Sequence, residues 1–296
     1  KDSHKYLELV RKYVEPLYFG TVSAMTEALP GLFNAIKIIH QSAKFCAEPG
    51  PMMDLLTRIS RQLALACKRH VSKGGAILAQ DPKLVAAKID DAMALISAYK
   101  RAFRHVRSKA NQELKTRRDR AFAYSETAVF AALVSLEARL YRVSDVVRTA
   151  SQFRALAEHP ALPNMAPVAS AFESLLDSFS STKYELLDDS EQAFEPDYAA
   201  FQDAVATLEN ELLARIDSAF EKTSETEDAL AMLQSLEGLV HRASLKTNLD
   251  SKYLVIFHNY GADLGEAAAL FESLKHAPPT IRNAPPVAGN IIWARQ

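Results

Sequence analysis

The chain has 296 residues, 48% hydrophobic and 24% charged, with a formal net charge of −1. That balance excludes an intrinsically disordered chain, and without a basic excess it argues against a nucleic-acid binder. Only 9 glycines occur and β-branched runs are few, so the abundant Ala, Leu, Glu, Lys, Arg and Gln point to helices rather than sheets and hairpins.

Proline and polar punctuation divide the chain into successive helices. The first covers roughly Ser3 to Phe19, and the second about Thr21 to Lys44, with a break or kink expected at Pro30-Gly31. Glu48-Pro49-Gly50-Pro51 reads as a stop. A helix from Met52 to about Val71 follows, closed by Lys73-Gly74-Gly75. Asp81-Pro82 is a start signal, an acceptor at the cap and a proline whose missing N–H is not needed in the first turn.

Two long stripes follow. Ile89, Ala92, Ile96, Tyr99, Phe103 and Val106 alternate at spacings of three and four, as do Val129, Leu133, Leu136, Leu140, Val143, Val147 and Ala150. This is the narrow seam of helices packed nearly side by side. His159-Pro160 and Pro163-Asn164 mark another break, Pro167 opens the next helix, and Ser174 to Tyr184 continues it. Leu187 to Pro196 reads as an acidic connection. Tyr198, Phe201, Val205, Leu208, Leu212 and Ile216 form a further stripe.

Ser224-Glu225-Thr226-Glu227 fits a capping box for a helix carrying Leu230, Leu233, Leu236, Leu239 and Val240. Asp250 is the expected cap of the last full helix, with Gly261 and Gly265 weakening its middle and Pro278-Pro279 ending it. The expected fold is all-α, an elongated array of long-helix antiparallel bundles, in blocks 1–80, 81–160, 161–280 and 281–296. The last block opens a new helix at Pro286 that is unfinished at Gln296, so the chain is expected to be a piece of a longer polypeptide.

Sites for chemistry are sparse. Gly261-Ala262-Asp263-Leu264-Gly265 and Gly74-Gly75 lack the lysine and hydroxyl of a phosphate loop. Cys67 and His70, three apart, and Glu237 and His241, four apart, would each share a helix face, but zinc needs three or four ligands. Neither a Gly-x-Ser-x-Gly elbow nor a local cysteine signature occurs. Cys46 and Cys67 make no disulfide framework and suit a reducing compartment. No apolar run has transmembrane length, and no signal-peptide pattern opens the chain. No catalytic, cofactor-binding or metal-ligating residue is assigned.

Charge is patterned. Lys100, Arg101, Arg104, Arg107, Lys109, Lys115, Arg117, Arg118 and Arg120 crowd one stretch. They fit either an acidic partner surface or a solvated helix end and loop. Glu185, Asp188, Asp189, Glu191, Glu195 and Asp197 form the acidic counterpart, read as a soluble linker. Trp293 beside Arg295 fits a binding anchor or a core position.

The final stretch, Asn283-Ala284-Pro285-Pro286-Val287-Ala288-Gly289-Asn290-Ile291-Ile292-Trp293-Ala294-Arg295-Gln296, resembles a segment of the dynein heavy-chain tail, where a double proline and a glycine precede tryptophan and arginine at a helix start. Lys252-Tyr253, Asn259-Tyr260-Gly261-Ala262-Asp263-Leu264, Pro278-Pro279 and Arg282-Asn283 are similar to the same region. Phe122-Ala123-Tyr124-Ser125-Glu126, Phe130 and Arg139-Leu140 look like a second block of that family, and Asp197-Tyr198 with Phe201 like another. Tyr6-Leu7, Pro16-Leu17, Leu29-Pro30, Met53 and Leu55-Leu56 look like its opening helices. The blocks most resemble outer-arm axonemal heavy chains, with Cys46 and the arginine-rich run before Phe122 as departures.

The resemblance implies a structural role in the cytoskeleton of the ciliary or flagellar axoneme. A family tail joins heavy chains to each other, carries intermediate and light chains, and fixes the motor through docking factors or the axonemal microtubule. It involves no nucleic acid, membrane or cofactor. ATP hydrolysis belongs to a downstream ring absent from these residues. The alternative is a free-standing α-helical tether or adaptor.

Overall fold

The computed structural model describes residues 2–44, 48–114, 120–162, 164–181, 184–223, 225–275, 286–293 and 295. Among them every regular element is a helix. The order is α1 (Asp2–Phe19), α2 (Val22–Ser42), α3 (Pro49–Ser72), α4 (Pro82–Gln112), α5 (Glu126–Ala157), α6 (Ala166–Ser180), α7 (Phe194–Glu221), α8 (Thr226–Glu237), α9 (Ala243–Leu274) and α10 (Pro286–Trp293), with a 3₁₀ turn at Ile77–Ala79. The chain forms two compact units, Lys1–Arg154 with Ser170–Val205, and Ala155–Ala169 with Ala206–Gln296. The division falls inside α5, α6 and α7, whereas the four sequence blocks follow punctuation.

In the first unit, caps and prolines set the helix starts. The Thr21 hydroxyl accepts from Ala24 N at 3.3 Å, and the Asp81 carboxylate from Lys83 N at 3.1 Å. Pro82 follows Asp81 in the first turn, as expected. Pro49 and Pro51 do not stop a helix. They lie in the first turn of α3, where no N–H donor is required, so α3 begins three residues before Met52. Gly74 and Gly75 take φ of +108° and +107° after α3, the left-handed conformation that ends it.

Pro30-Gly31 does not break α2, which runs through both residues. The glycine serves packing instead. A Cβ on Gly31 would lie 2.8 Å from Tyr13 Cδ1 and Cζ, so only a bare backbone lets the α1 ring pack there.

All six residues of the α4 stripe and all seven of the α5 stripe are buried. The α5 face is wider than the expected narrow seam, because Phe130, Arg139, Ser144, Val146, Thr149, Gln152 and Phe153 are buried as well. Phe103 of α4 and Phe130 of α5 meet edge-on with centroids 5.1 Å apart, and Phe33 of α2 lies 5.0 Å from Tyr99. The buried Tyr99 hydroxyl accepts from Ser60 Oγ at 3.0 Å. A second aromatic layer joins Phe153 and Phe172, stacked at 4.4 Å, with Phe179, Phe194 and Phe201.

The second unit is built on Leu208, Leu212 and Ile216 of α7, Met232, Leu233 and Leu236 of α8, and Leu245, Leu249 and Ile256 of α9. Buried Glu209 of α7 pairs with Arg242 and accepts from Ser244 Oγ at 2.9 Å. Two turns on, Asp217 pairs with Lys252 and accepts from Asn248 Nδ2 at 3.2 Å.

Further boundaries differ from expectation, α8 ending at Glu237 before Leu239 and Val240 and α7 beginning at Phe194 inside the expected acidic connection. Glu225, not Ser224, is the cap residue of α8, without a side-chain cap bond, and Ser224 lies outside the described residues. Asp250 is interior, because α9 begins at Ala243 and burial of Leu245 and Leu249 stabilises two further turns. α6 ends at Ser180 rather than Tyr184. Pro278-Pro279 lies outside the described residues.

Candidate functional site

Members of both charge runs are paired inside the first unit. Lys100 pairs with Glu137, and Arg104 and Arg107 converge on Glu126. The same two guanidiniums lie 5.8 Å from the ring centroids of Phe130 and Phe103. Arg120 donates to the Ala43 carbonyl at 3.3 Å. Four of the nine cations therefore neutralise acids or cap carbonyls of their own unit. Lys115, Arg117 and Arg118 lie outside the described residues.

The acidic stretch is not a solvated linker but a folded loop fastened to the bundle. Arg139, only 3% exposed, donates to the carbonyls of Leu186 at 3.2 Å, Asp188 at 2.7 Å and Glu191 at 3.0 Å. Its guanidinium lies 3.8 Å from the Phe194 centroid. Burial pulls the Arg139 pKa down, opposed by Glu195 and Asp189. Asp189 pairs with Lys68, Glu195 with Arg142 at 2.8 Å, and Asp197 accepts from Tyr184 at 2.7 Å. Burial pushes the Asp189 carboxyl up, but Lys68 and Ser135 outweigh it and hold it low. Asp188 is held low by bonds from Ser190. The apolar residues Leu187 and Phe194 anchor the loop in the core.

Beside this loop lies a groove of about 900 Å³, walled by Tyr18, Leu65, Ile77, Leu176, Tyr184 and Leu187. Its cations are engaged. Lys68 holds Asp189, Arg69 donates to the Tyr18 and Leu17 carbonyls at 2.8 and 2.9 Å, and Arg154 forms a two-pronged pair with Glu173 at 2.7 and 2.9 Å. Such walls offer apolar contact area.

Neither nominated metal pair gathers a full ligand set among the described residues. Cys67 is buried, and its thiol is pushed up to about 12 by burial, far from the thiolate that zinc requires. His70 faces Asp91 at 3.5 Å. Glu237 ends α8 and His241 lies beyond it, so they share no helix face. Among the described residues no three His, Cys, Asp or Glu gather as a metal site, and no helix is long and apolar enough to cross a membrane.

Sequence reasoning missed His40. Nε2 donates to the Arg120 carbonyl at 3.1 Å, so Nδ1 accepts from the Tyr124 hydroxyl at 2.8 Å. The ring sits edge-on to Phe122 at 5.0 Å. Burial lowers its pKa, against the Arg120 backbone bond that raises it. This histidine ties α2 to the Phe122-Ala123-Tyr124 segment; only the aromatic cluster hinted at a partner. Arg295 is exposed, and the Trp293 side chain lies outside the described residues.

Comparison with known proteins matches residues 1–296 to the family described as dynein heavy chain, N-terminal region 1. The chain is 32% identical over its whole length to the dynein gamma chain, flagellar outer arm, of Chlamydomonas reinhardtii, covering 6% of that protein. It is 29% identical to dynein axonemal heavy chain 5 of Mus musculus and 27% to dynein axonemal heavy chain 8 of the same species, again over all of this chain and 6% of each relative. The chain thus spans about 6% of the length of these curated relatives. It belongs to the dynein heavy-chain N-terminal region family.

Proposed function

We propose that this chain is a structural tail segment of an axonemal dynein heavy chain and works without catalysis of its own. It is a scaffold for association with other heavy chains, for intermediate- and light-chain binding, and for attachment of the motor through docking factors or the axonemal microtubule. Its place is the cytoskeleton of the cilium or flagellum. The observation that carries the reading is the family match along residues 1–296, with outer-arm and axonemal heavy chains among the relatives. The paired charges and apolar walls of the groove support it, because they suit protein contact better than reaction chemistry.

The test is removal of residues 1–296 from the parent heavy chain in a ciliated cell. Expected are arms missing from isolated axonemes and intermediate chains lost from the sedimenting complex, while ATPase activity per heavy chain persists. Arms assembling in normal number, or ATP turnover by the isolated segment at motor-like rates, would overturn the reading.

A further inference from the structure

Helix α9 carries two apolar stripes on different faces. Leu245, Leu249, Lys252 and Ile256 are buried in the second unit, and that face then turns polar at Asn259 and Asp263. A second stripe begins where the first ends: Leu254, Phe257, Gly261, Leu264, Ala268 and Phe271, at spacings of three, four, three, four and three. At 3.6 residues per turn the stripes lie roughly 120° apart. The second is open to solvent, with Leu254 71%, Phe257 67% and Leu264 56% exposed.

Its pattern specifies a helical neighbour. Alternating spacings of three and four are the seam of one helix lying along another, and small residues between large ones let backbones approach. Glycine weakens a helix interior, yet a Cβ added to Gly261 or Gly265 would meet nothing within 4 Å. Nothing inside the unit uses these glycines; a close-packed helix on the open face would. The strip is roughly 26 Å by 10 Å, far short of the roughly 800 Å² per partner that a stable contact between separate molecules buries. A neighbour tethered to the same chain needs much less area, because tethering supplies a high effective concentration.

We infer that the occupant is the helix that begins as α10 and continues past Gln296 in the longer heavy chain, folded back antiparallel on α9. Three observations favour it. α10 presents its own apolar residues, with Val287 74% and Ile291 52% exposed one turn apart. Eleven residues, 275–285, tether α10 to α9 in one chain, which keeps its effective concentration at the open face high. The heavy-chain relatives are many times longer than the matched region. The 8 residues of α10 reach about 12 Å, so covering the strip takes a continuation of about seven residues past Gln296. A helix as short as α10 cannot hold the pairing alone. The inference rests on family membership and not on the scaffold reading.

The test places a benzophenone side chain at Leu264 in the intact heavy chain and maps the photo-crosslinks by mass spectrometry, mixing isotope-labelled and unlabelled chains. Crosslinks should fall within one polypeptide, between Pro286 and about seven residues past Gln296. The variant Gly261→Leu should abolish them while leaving helicity by circular dichroism unchanged, since its side chain points into open space. Crosslinks to a second heavy chain, to another protein or to distant parts of the same chain, or no crosslinks at all, would overturn the inference.

Discussion

Replacing Arg139 with methionine removes one guanidinium that holds three backbone carbonyls of the 184–193 loop. The bonds to Leu186, Asp188 and Glu191 run from 2.7 to 3.2 Å, and the donor is almost fully buried. A hydrogen bond from a charged group contributes about 1.5–3 kcal/mol, but three that share one side chain and one loop are not additive. Methionine keeps much of the stem packing, and freed carbonyls at the loop surface regain water. The expected net loss is about 2–4 kcal/mol, concentrated in the loop. With two units in the chain, a global melting curve mixes transitions, so amide hydrogen exchange is the better assay. Exchange in residues 184–193 should accelerate about 30-fold or more, while α2 and the first half of α4 stay protected. Arg139→Lys should restore little, because a single ammonium cannot span three carbonyls. Unchanged loop exchange in Arg139→Met would refute the reasoning, leaving Leu187 and Phe194 as sufficient anchors.

Aspartate at Leu136 or Leu140, both wholly buried, places an unpaired charge in the α5 core and should cost several kcal/mol, about 3–5; an unchanged denaturant midpoint would remove both residues from the core. His40 gives the first unit a pH dependence with a definite sign. Its folded pKa lies below the unfolded value of 6.5, so its contribution is complete above that value and is lost as pH falls from 6.5 through the lower folded pKa. Denaturation midpoints measured from pH 7.5 down to 5 should decline, and His40→Phe should flatten that decline. Gly31→Ala drives a methyl into the Tyr13 ring and should destabilise by about 1–3 kcal/mol, measured by urea denaturation, with Tyr13→Ser in the same chain recovering part of the loss.

The helices were legible because their signals are local. Apolar spacing in α4 and α5 named thirteen residues that are all buried, and Asp81-Pro82 marked a start that the Asp81 bond to Lys83 N realises. Other features depend on partners distant in sequence. Pro30-Gly31 looks like a break until Tyr13 is placed against it. Asp250 looks like a cap until Leu245 and Leu249 are seen in the core. The acidic stretch looks solvated because its cations, Lys68, Arg139 and Arg142, come from helices far upstream. Leu187 and Phe194 within it were the available sign of folding. The groove had no sequence signature, since its walls come from five separate stretches of chain.

The disposition of charge bears on what kind of contact this segment can make. A run such as Lys100 to Arg120 would steer an acidic partner over long range if it were free. Lys100, Arg104 and Arg107 instead spend their charge on Glu137 and Glu126, and the acidic loop spends Asp189 and Glu195 on Lys68 and Arg142. Pairs neutralised at short range contribute little field beyond a Debye length of about 8 Å in physiological salt. Paired charges of this kind do not steer a partner over long range, unlike surfaces that bind by shape and apolar contact. The first unit's groove and the open face of α9 are surfaces of that second kind. Contacts of this kind depend weakly on salt and form through buried apolar area, so assembly through them should survive ionic strengths that strip charge-steered partners.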